Sequence, residues 1–287
     1  MISLDFTLET YLKLLETLVK QGFSFQTFHE IFLKEKNKSV VLRHDVDKLP
    51  LQAVKMAEIE ASLGIKASYH FRIVKESNDP QCIKRIVRLG HEIAYHYEIQ
   101  VYKGDEAETV KNAYLAFRNN LEYFRKFYPV DVISMHGSPL SSFDNRVMWK
   151  YFNYHDLGII CEPYFDIDFS SILYLTDTGR MWNGEKFNIR DKATKDFKLK
   201  NNWITKAKPG SLIYMTDEAR IFQNMYKFKT TFEIIQATIQ NNIPDKLIIN
   251  THPQRWADEN VKWLKELLLQ KIKNIMKFGI NKIKYSS

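Results

Sequence analysis

Two cysteines in 287 residues, Cys82 and Cys161, leave no room for a cysteine-rich zinc module or a disulfide framework. Any metal this chain binds must therefore be held by histidine and carboxylate. Glycine and proline are also scarce, at 10 and 8 residues, which sets aside collagen-like and low-complexity chains. No stretch approaches the roughly 20 apolar residues of a membrane span. The opening Met1-Ile2-Ser3-Leu4-Asp5 has neither a basic nor an apolar leader, so a cytoplasmic protein is expected. No glycine-rich phosphate loop follows the first strand pattern, which counts against a dinucleotide fold.

What is present is core material: 45% of residues are hydrophobic and 14% aromatic, as in an aromatic-rich globular chain. The formal charge of +8 favours an anionic partner only weakly, because much of it lies in Lys271, Lys273, Lys277, Lys282 and Lys284, a stretch without acids. Nucleic acid is not expected as a partner. Between those lysines, Ile272, Ile275, Met276, Ile280 and Ile283 fall near helical spacing. Such a stripe would suit an anionic membrane surface, but it more often packs on its own domain. The expectation is one domain over residues 1–287, with a basic helix at 258–287 packed on it.

Strand and helix patterns alternate along the chain. A helix from about Thr7 to Gln21 and a Phe-rich segment precede the apolar run Ser39 to Leu42, which leads into His44-Asp45-Val46-Asp47 and stops at Pro50. Leu51 to Leu63 reads as helix with Gly64 as its cap, and Lys66 to Ile73 as strand. Asp79 to Leu89 (helix), Glu92 to Glu98 (strand), Glu106 to Phe127 (helix) and Val130 to Met135 (strand) follow. From Leu140 to Thr205 only short strand-like pieces stand out, such as Gly158 to Cys161 and Ile172 to Thr176. Ser211 to Thr216 and Lys246 to Asn250 read as strands, with a helix near Thr230 to Gln240 between them. This alternation implies a parallel sheet flanked by helices, either a barrel or a doubly wound sheet.

The ends of these strands share ionisable residues: Asp45 and Asp47, His96 and Glu98, His136, and His252. In parallel α/β folds the carboxyl ends of strands are where sites are built. Side chains alternate along a strand, so Asp45 and Asp47 share a side, as do His96 and Glu98. One aspartate of such a pair can bind a metal while the other remains a base; the alternative is a pair of solvated or helix-capping aspartates. His44 points the other way. His91 and His96 differ in parity, so His91 is expected to satisfy a local hydrogen bond and His96 to be a ligand. His70 is ambiguous, and Arg72 on its side is a candidate substrate contact that could equally well hold a site carboxylate.

These residues, in this order, resemble the polysaccharide deacetylases, the NodB-like domain of carbohydrate esterase family four, over roughly Val40 to Trp256. Asp45-Val46-Asp47 is similar to the family's first motif, Gly90-His91-Glu92-Ile93-Ala94-Tyr95-His96 to the approach to the second, and Leu247-Ile248-Ile249-Asn250-Thr251-His252 to the last. The resemblance implies an irregular (β/α) barrel of about seven parallel strands. It also implies a divalent metal, Zn²⁺ by family with Mn²⁺ or Mg²⁺ as alternatives, and a carbohydrate substrate. Asp45 is then the general base, Asp47 and His96 are metal ligands, and His252 is the acid serving the leaving nitrogen. The family's second metal histidine lies four residues after the first, where this chain has Gln100, so Glu98 and His136 are the candidates for the third ligand.

The family's arginine motif is not recognisable, and Arg180 and Arg255 are candidates for its role. Thr176-Asp177-Thr178-Gly179-Arg180-Met181-Trp182-Asn183-Gly184 combines Arg180 and Trp182 in a mix suited to gripping a sugar, or else is an ordinary surface loop with one buried Trp; Arg255 and Trp256, just after His252, are the favoured substrate contacts. The activity so implied is hydrolysis of an acetyl group from an N-acetylated sugar or polysaccharide precursor. Two readings stand beside it: an inactive carbohydrate-binding or glycan-assembly barrel, and a metal-dependent hydrolase of another C–N bond.

Overall fold

The computed structural model describes residues 4–98, 106–137, 145–182 and 216–257. Along the chain run α1 (Leu8–Lys20), β1 (Ser24–Phe25), α2 (Phe28–Lys34), β2 (Ser39–Val46), α3 (Pro50–Ser62), β3 (Ser68–Phe71), α4 (Pro80–Arg88), β4 (Glu92–Tyr97) and α5 (Glu106–Arg125). After them come β5 (Ile133–Met135), α6 (Pro163–Asp166), β6 (Leu173–Thr176), α7 (Asp217–Met225), α8 (Thr231–Ile239) and β7 (Lys246–Thr251).

Local chemistry explains most boundaries. Thr7 caps α1 by accepting from Thr10 N–H, and Tyr11, Leu14, Leu15 and Leu18 form its buried stripe at helical spacing. Thr27 and Glu30 cap α2 reciprocally, a signal present in the sequence but masked by the phenylalanines around it. Pro50 and Pro80 occupy first-turn positions of α3 and α4, where the missing N–H costs nothing. Gly64 and Gly90 follow those helices with φ of +70° and +89°, a conformation that any side chain would strain.

Every ladder is parallel, in the order β5-β4-β3-β2-β7-β6, and the sheet curls into a half-barrel with helices outside. β1 pairs with Ser39 and Val40 of β2, while β3 pairs from Arg43 onward. Because β7 fills the other edge of β2, β1 and β3 must share one edge in succession. The expected strand at Gly158 to Cys161 is reduced to a single parallel bridge, Val132↔Cys161, and among the described residues the path ends at β5 and β6 without closing into a ring. The expected strand at Ser211 to Thr216 lies outside the described residues except for Thr216, which caps α7. Gln100 and the basic segment 258–287 also lie outside them. No helix among the described residues is long and apolar enough to cross a membrane.

β2 is buried along its whole length, and its two faces do different work. On the outer face His44 meets Glu60 of α3 (Nε2 to Oε1, 2.9 Å) and Thr251 of β7 (Nδ1 to Oγ1, 2.7 Å). Glu60 also accepts from the hydroxyls of Tyr11 (2.6 Å) and Tyr69 (2.8 Å). His91 accepts from Ala67 N–H and reaches the carbonyl of Ala57 on α3, which ties β4 to the preceding unit. The concave face carries Arg43, Asp45, His70, His96 and Asn250. From the N-terminal side α2 meets that face: Phe28 N–H donates to Ser68 Oγ at 3.3 Å, and His29 N–H to Glu92 Oε1 at 2.9 Å.

Candidate metal and catalytic site

Asp45 sits in the last turn of side chains on β2 and is only 4% exposed. Arg43, two residues earlier and so on the same face, donates from Nε to Oδ1 at 2.8 Å and from Nη2 to Oδ2 at 3.1 Å. Asn250, the register partner of Arg43 on β7, donates to Oδ2 at 3.0 Å and to the Tyr174 hydroxyl at 2.9 Å. Burial works against the Asp45 charge, but Arg43 and the surrounding histidines outweigh it and hold the carboxyl well below the usual range.

Asp47 lies just past the strand end. Its Oδ2 accepts from Gln254 Nε2 at 3.4 Å, while its Oδ1 is buried with no hydrogen-bond partner. That orphaned oxygen is 3.9 Å from His96 Nε2 and 3.5 Å from His136 Nε2. Each of these rings is fixed through its other nitrogen. His96 Nδ1 lies 3.0 Å from the carbonyl of Ser134 and must donate to it, and His136 Nδ1 lies 3.1 Å from Glu98 Oε2. Both Nε2 lone pairs then face the Asp47 carboxylate, three acceptor atoms that a cation between them would satisfy. Burial brings His96 down to about 4 against the pull of Asp45, so its ring is neutral at ordinary pH, as a ligand must be.

Ligands bound tetrahedrally at about 2.1 Å stand about 3.4 Å from one another, close to the separations found here. Asp47, His96 and His136 thus form a three-residue donor set with oriented imidazoles that fits a divalent ion. A second group, Asp45 with His70 and His96, meets the distance condition too. His70 is fully buried, with neither ring nitrogen partnered. The Asp45 carboxylate, however, is already committed to Arg43, whose charge would repel a cation placed there. Because His96 offers one free nitrogen, the two groups cannot both be filled.

Opposite the histidine pair lies His252, just beyond β7. Its backbone N–H donates to Asp177 Oδ2 at 2.9 Å and its Nδ1 stands 2.6 Å from Asp177 Oδ1. Arg255 Nη1 (2.6 Å) and Trp256 Nε1 (2.9 Å) complete the acceptor set of Asp177, which is fully buried. Burial opposes this charge as well, and Arg255 first, then His252, keep the Asp177 carboxyl below its ordinary range. His252 Nε2 is thereby aimed at the aspartate pair, 4.0 Å from Asp45 Oδ2 and 3.9 Å from Asp47 Oδ2.

The structure brings together Asp45, Asp47, His96, His136 and His252, with Glu98 and Arg72 adjoining. Five expected residues make contacts of a different kind. Glu98 is not in either metal group: Arg72 Nη2 donates to both its oxygens at 2.8 Å, and His136 takes Oε2. Trp182 and Trp256 are buried at 1% and 0% exposure in an aromatic cluster with Phe6, so neither offers a face to a sugar. Arg180, 6% exposed, lies over the Phe6 ring. Arg255 is spent on Asp177 rather than on Asp45, whose arginine is Arg43.

Sequence reasoning missed Asp177, Arg43 and Asn250. Asp177 follows β6 just as His136 follows β5, but it was hidden inside a segment that reads as a turn. Arg43 and Asn250 share the parity of Asp45 and His252 on their strands, which was the available signal.

No protein-family model and no curated protein matches the chain. Among solved structures, the Xyl-CE4 domain of a multidomain xylanase from the hindgut metagenome of Trinervitermes trinervoides aligns with 88% of this chain and 85% of its own length, at 14% identity and a TM-score of 0.33. At that level of likeness nothing about this chain's site follows from it.

Proposed function

We propose that this protein is a metal-dependent deacylase that hydrolyses the amide of an N-acetylated sugar or polysaccharide precursor. The observation that carries the proposal is the convergence of Asp47 Oδ1, His96 Nε2 and His136 Nε2, all free and all oriented from behind, next to a second carboxylate and an Asp–His pair. The motif order that resembles the polysaccharide deacetylases supports the same class.

A divalent ion held by Asp47, His96 and His136 would supply Lewis-acid polarisation of an acyl carbonyl and activation of water. The remaining work falls to the chain's own groups. Asp45, kept ionised by Arg43 and the surrounding histidines, is the second carboxylate of the site, to which we assign the proton of the attacking water. His252 Nε2, with Nδ1–H committed to Asp177, is positioned to pass a proton to the leaving nitrogen. Two neutral imidazoles and one carboxylate suit Zn²⁺, and Mn²⁺ also tolerates this set.

The test is acetate release from N-acetylated oligosaccharides by metal-loaded protein. Release that is abolished by chelator and by Asp45→Asn and His252→Ala is the expected result. Wild-type activity in both variants would overturn the role assignments, and a wild-type protein that binds no divalent ion would overturn the proposal.

A further inference from the structure

Arg72, Glu98 and His136 stand one step beyond the ends of three neighbouring strands, β3, β4 and β5. The β4–β5 register ends at Tyr97↔Met135, and the ladder continues through His136 N–H, which donates to the carbonyl of Tyr97 at 2.7 Å. Glu98 and His136 are therefore adjacent by register, and their side chains meet at 3.1 Å. Arg72 closes on Glu98 from the other side, with Nη2 at 2.8 Å from each oxygen. Its own position is set by Ser77, which accepts from Arg72 N–H and donates to the carbonyl of Val46, the residue before Asp47. A continuous chain of contacts thus links the two strand ends that carry Asp47 and His136.

Resting on the metal site proposed above, we infer that Glu98 is a positioning residue that fixes His136 as its Nδ1–H form, and that Arg72 holds Glu98 away from the metal. The chemistry requires a device of this kind. His136 comes from a different strand than His96, and an unanchored imidazole there could rotate or carry its proton on Nε2, which would block coordination. A carboxylate accepting from Nδ1–H enforces the useful tautomer. The same carboxylate, left free, could become a fourth ligand, through oxygen, and fill a position that substrate and water need. Pairing it with Arg72 spends both oxygens and removes that competition.

The experiment uses the full chain at pH 8, above the ordinary histidine range. Two-bond ¹H–¹⁵N spectra of the metal-free protein report the His136 tautomer, and competition against a chromophoric chelator reports Zn²⁺ affinity. Wild type should show His136 protonated on Nδ1. Glu98→Ala should shift it towards Nε2–H and weaken Zn²⁺ binding about 10- to 100-fold. Glu98→Gln, which keeps an acceptor and guards against a merely unfolded variant, should lose less than Glu98→Ala. In Arg72→Met, Glu98 is released, and the visible spectrum of the Co²⁺ form should weaken as the coordination number rises.

An unchanged tautomer and unchanged affinity in Glu98→Ala would overturn the inference. A loss in Glu98→Ala as large as in Asp47→Asn would also overturn it, because Glu98 would then be a ligand. Equal Zn²⁺ affinity in wild type and Asp47→Asn would sink the metal site itself, while the tautomer comparison would still decide what Glu98 does to His136.

Discussion

Asp177 holds His252 twice, accepting from its backbone N–H at 2.9 Å and facing its Nδ1 at 2.6 Å, so that one carboxylate sets both the position of the residue and the direction of its ring. This pairing joins the end of β6 to the end of β7, and the chemistry assigned to His252 depends on it.

Replacing Asp177 by Asn keeps the volume but allows the ring to take the other tautomer. Acetate release should fall by about 10²- to 10⁴-fold in kcat with little change in KM, as expected when an orienting carboxylate is lost. Steady-state kinetics of the folded variant decide this, and a KM effect alone would argue for a purely structural role.

Divalent metal should stabilise the chain through Asp47 and His136. At 100 times its Kd, an ion that binds only the folded state adds about 2.7 kcal/mol, equivalent to a rise of several degrees in Tm. Thermal unfolding with and without Zn²⁺ should show that rise in wild type and not in Asp47→Asn or His136→Ala.

Arg43 is the counter-charge that makes a buried Asp45 tolerable. Arg43→Met should cost about 3–5 kcal/mol in urea unfolding, since it strands a buried carboxylate. The sign with pH follows from the lowered Asp45 pKa: its contribution is present above the unfolded carboxylate range and is lost as pH falls through the folded value. Wild type should therefore resist acid better than Arg43→Met, and the gap should narrow on acidification.

Two other buried acids act in the opposite sense. Burial pushes Glu92 up to about 7 and Glu162 up to about 8, so each prefers to be protonated in the folded chain. The stability they allow is fully present below the unfolded glutamate range and declines as pH rises through those values. Between pH 5 and pH 9 the denaturation midpoint of wild type should lose ground to that of Glu92→Gln as pH rises, a comparison in which the histidines common to both chains cancel.

Trp182 donates from Nε1 to Thr231 Oγ1 at 2.9 Å within the Phe6 and Trp256 cluster. Trp182→Ala should lose about 3–5 kcal/mol of stability, whereas Trp182→Phe, which keeps most of the ring, should leave KM for an oligosaccharide unchanged. A raised KM in Trp182→Phe would restore the substrate-stacking role.

Taken alone, the sequence determined what alternation within one element can determine. The apolar run into Asp45 and Asp47, the glycines after two helices and the parity of His96 against His91 are properties of single strands and helices, and they located the parallel sheet and the end of it that gathers the candidate site. The same alternation also assigned His44 and Asp45 to opposite faces.

Tertiary structure decided how separate strand ends meet. On the sequence Glu98 was the nearer candidate and His136 the other; the register of β4 against β5 and the arrival of Arg72 from β3 gave Glu98 to the arginine and left His136 Nε2 facing Asp47. Asp177 gained its role because β6 lies beside β7, although more than 70 residues separate it from His252 in the chain. The two tryptophans were buried because Phe6, from the start of the described chain, packs against both. Periodicity fixes the face a side chain takes within its own element, but sheet register and packing between distant segments fix what it touches.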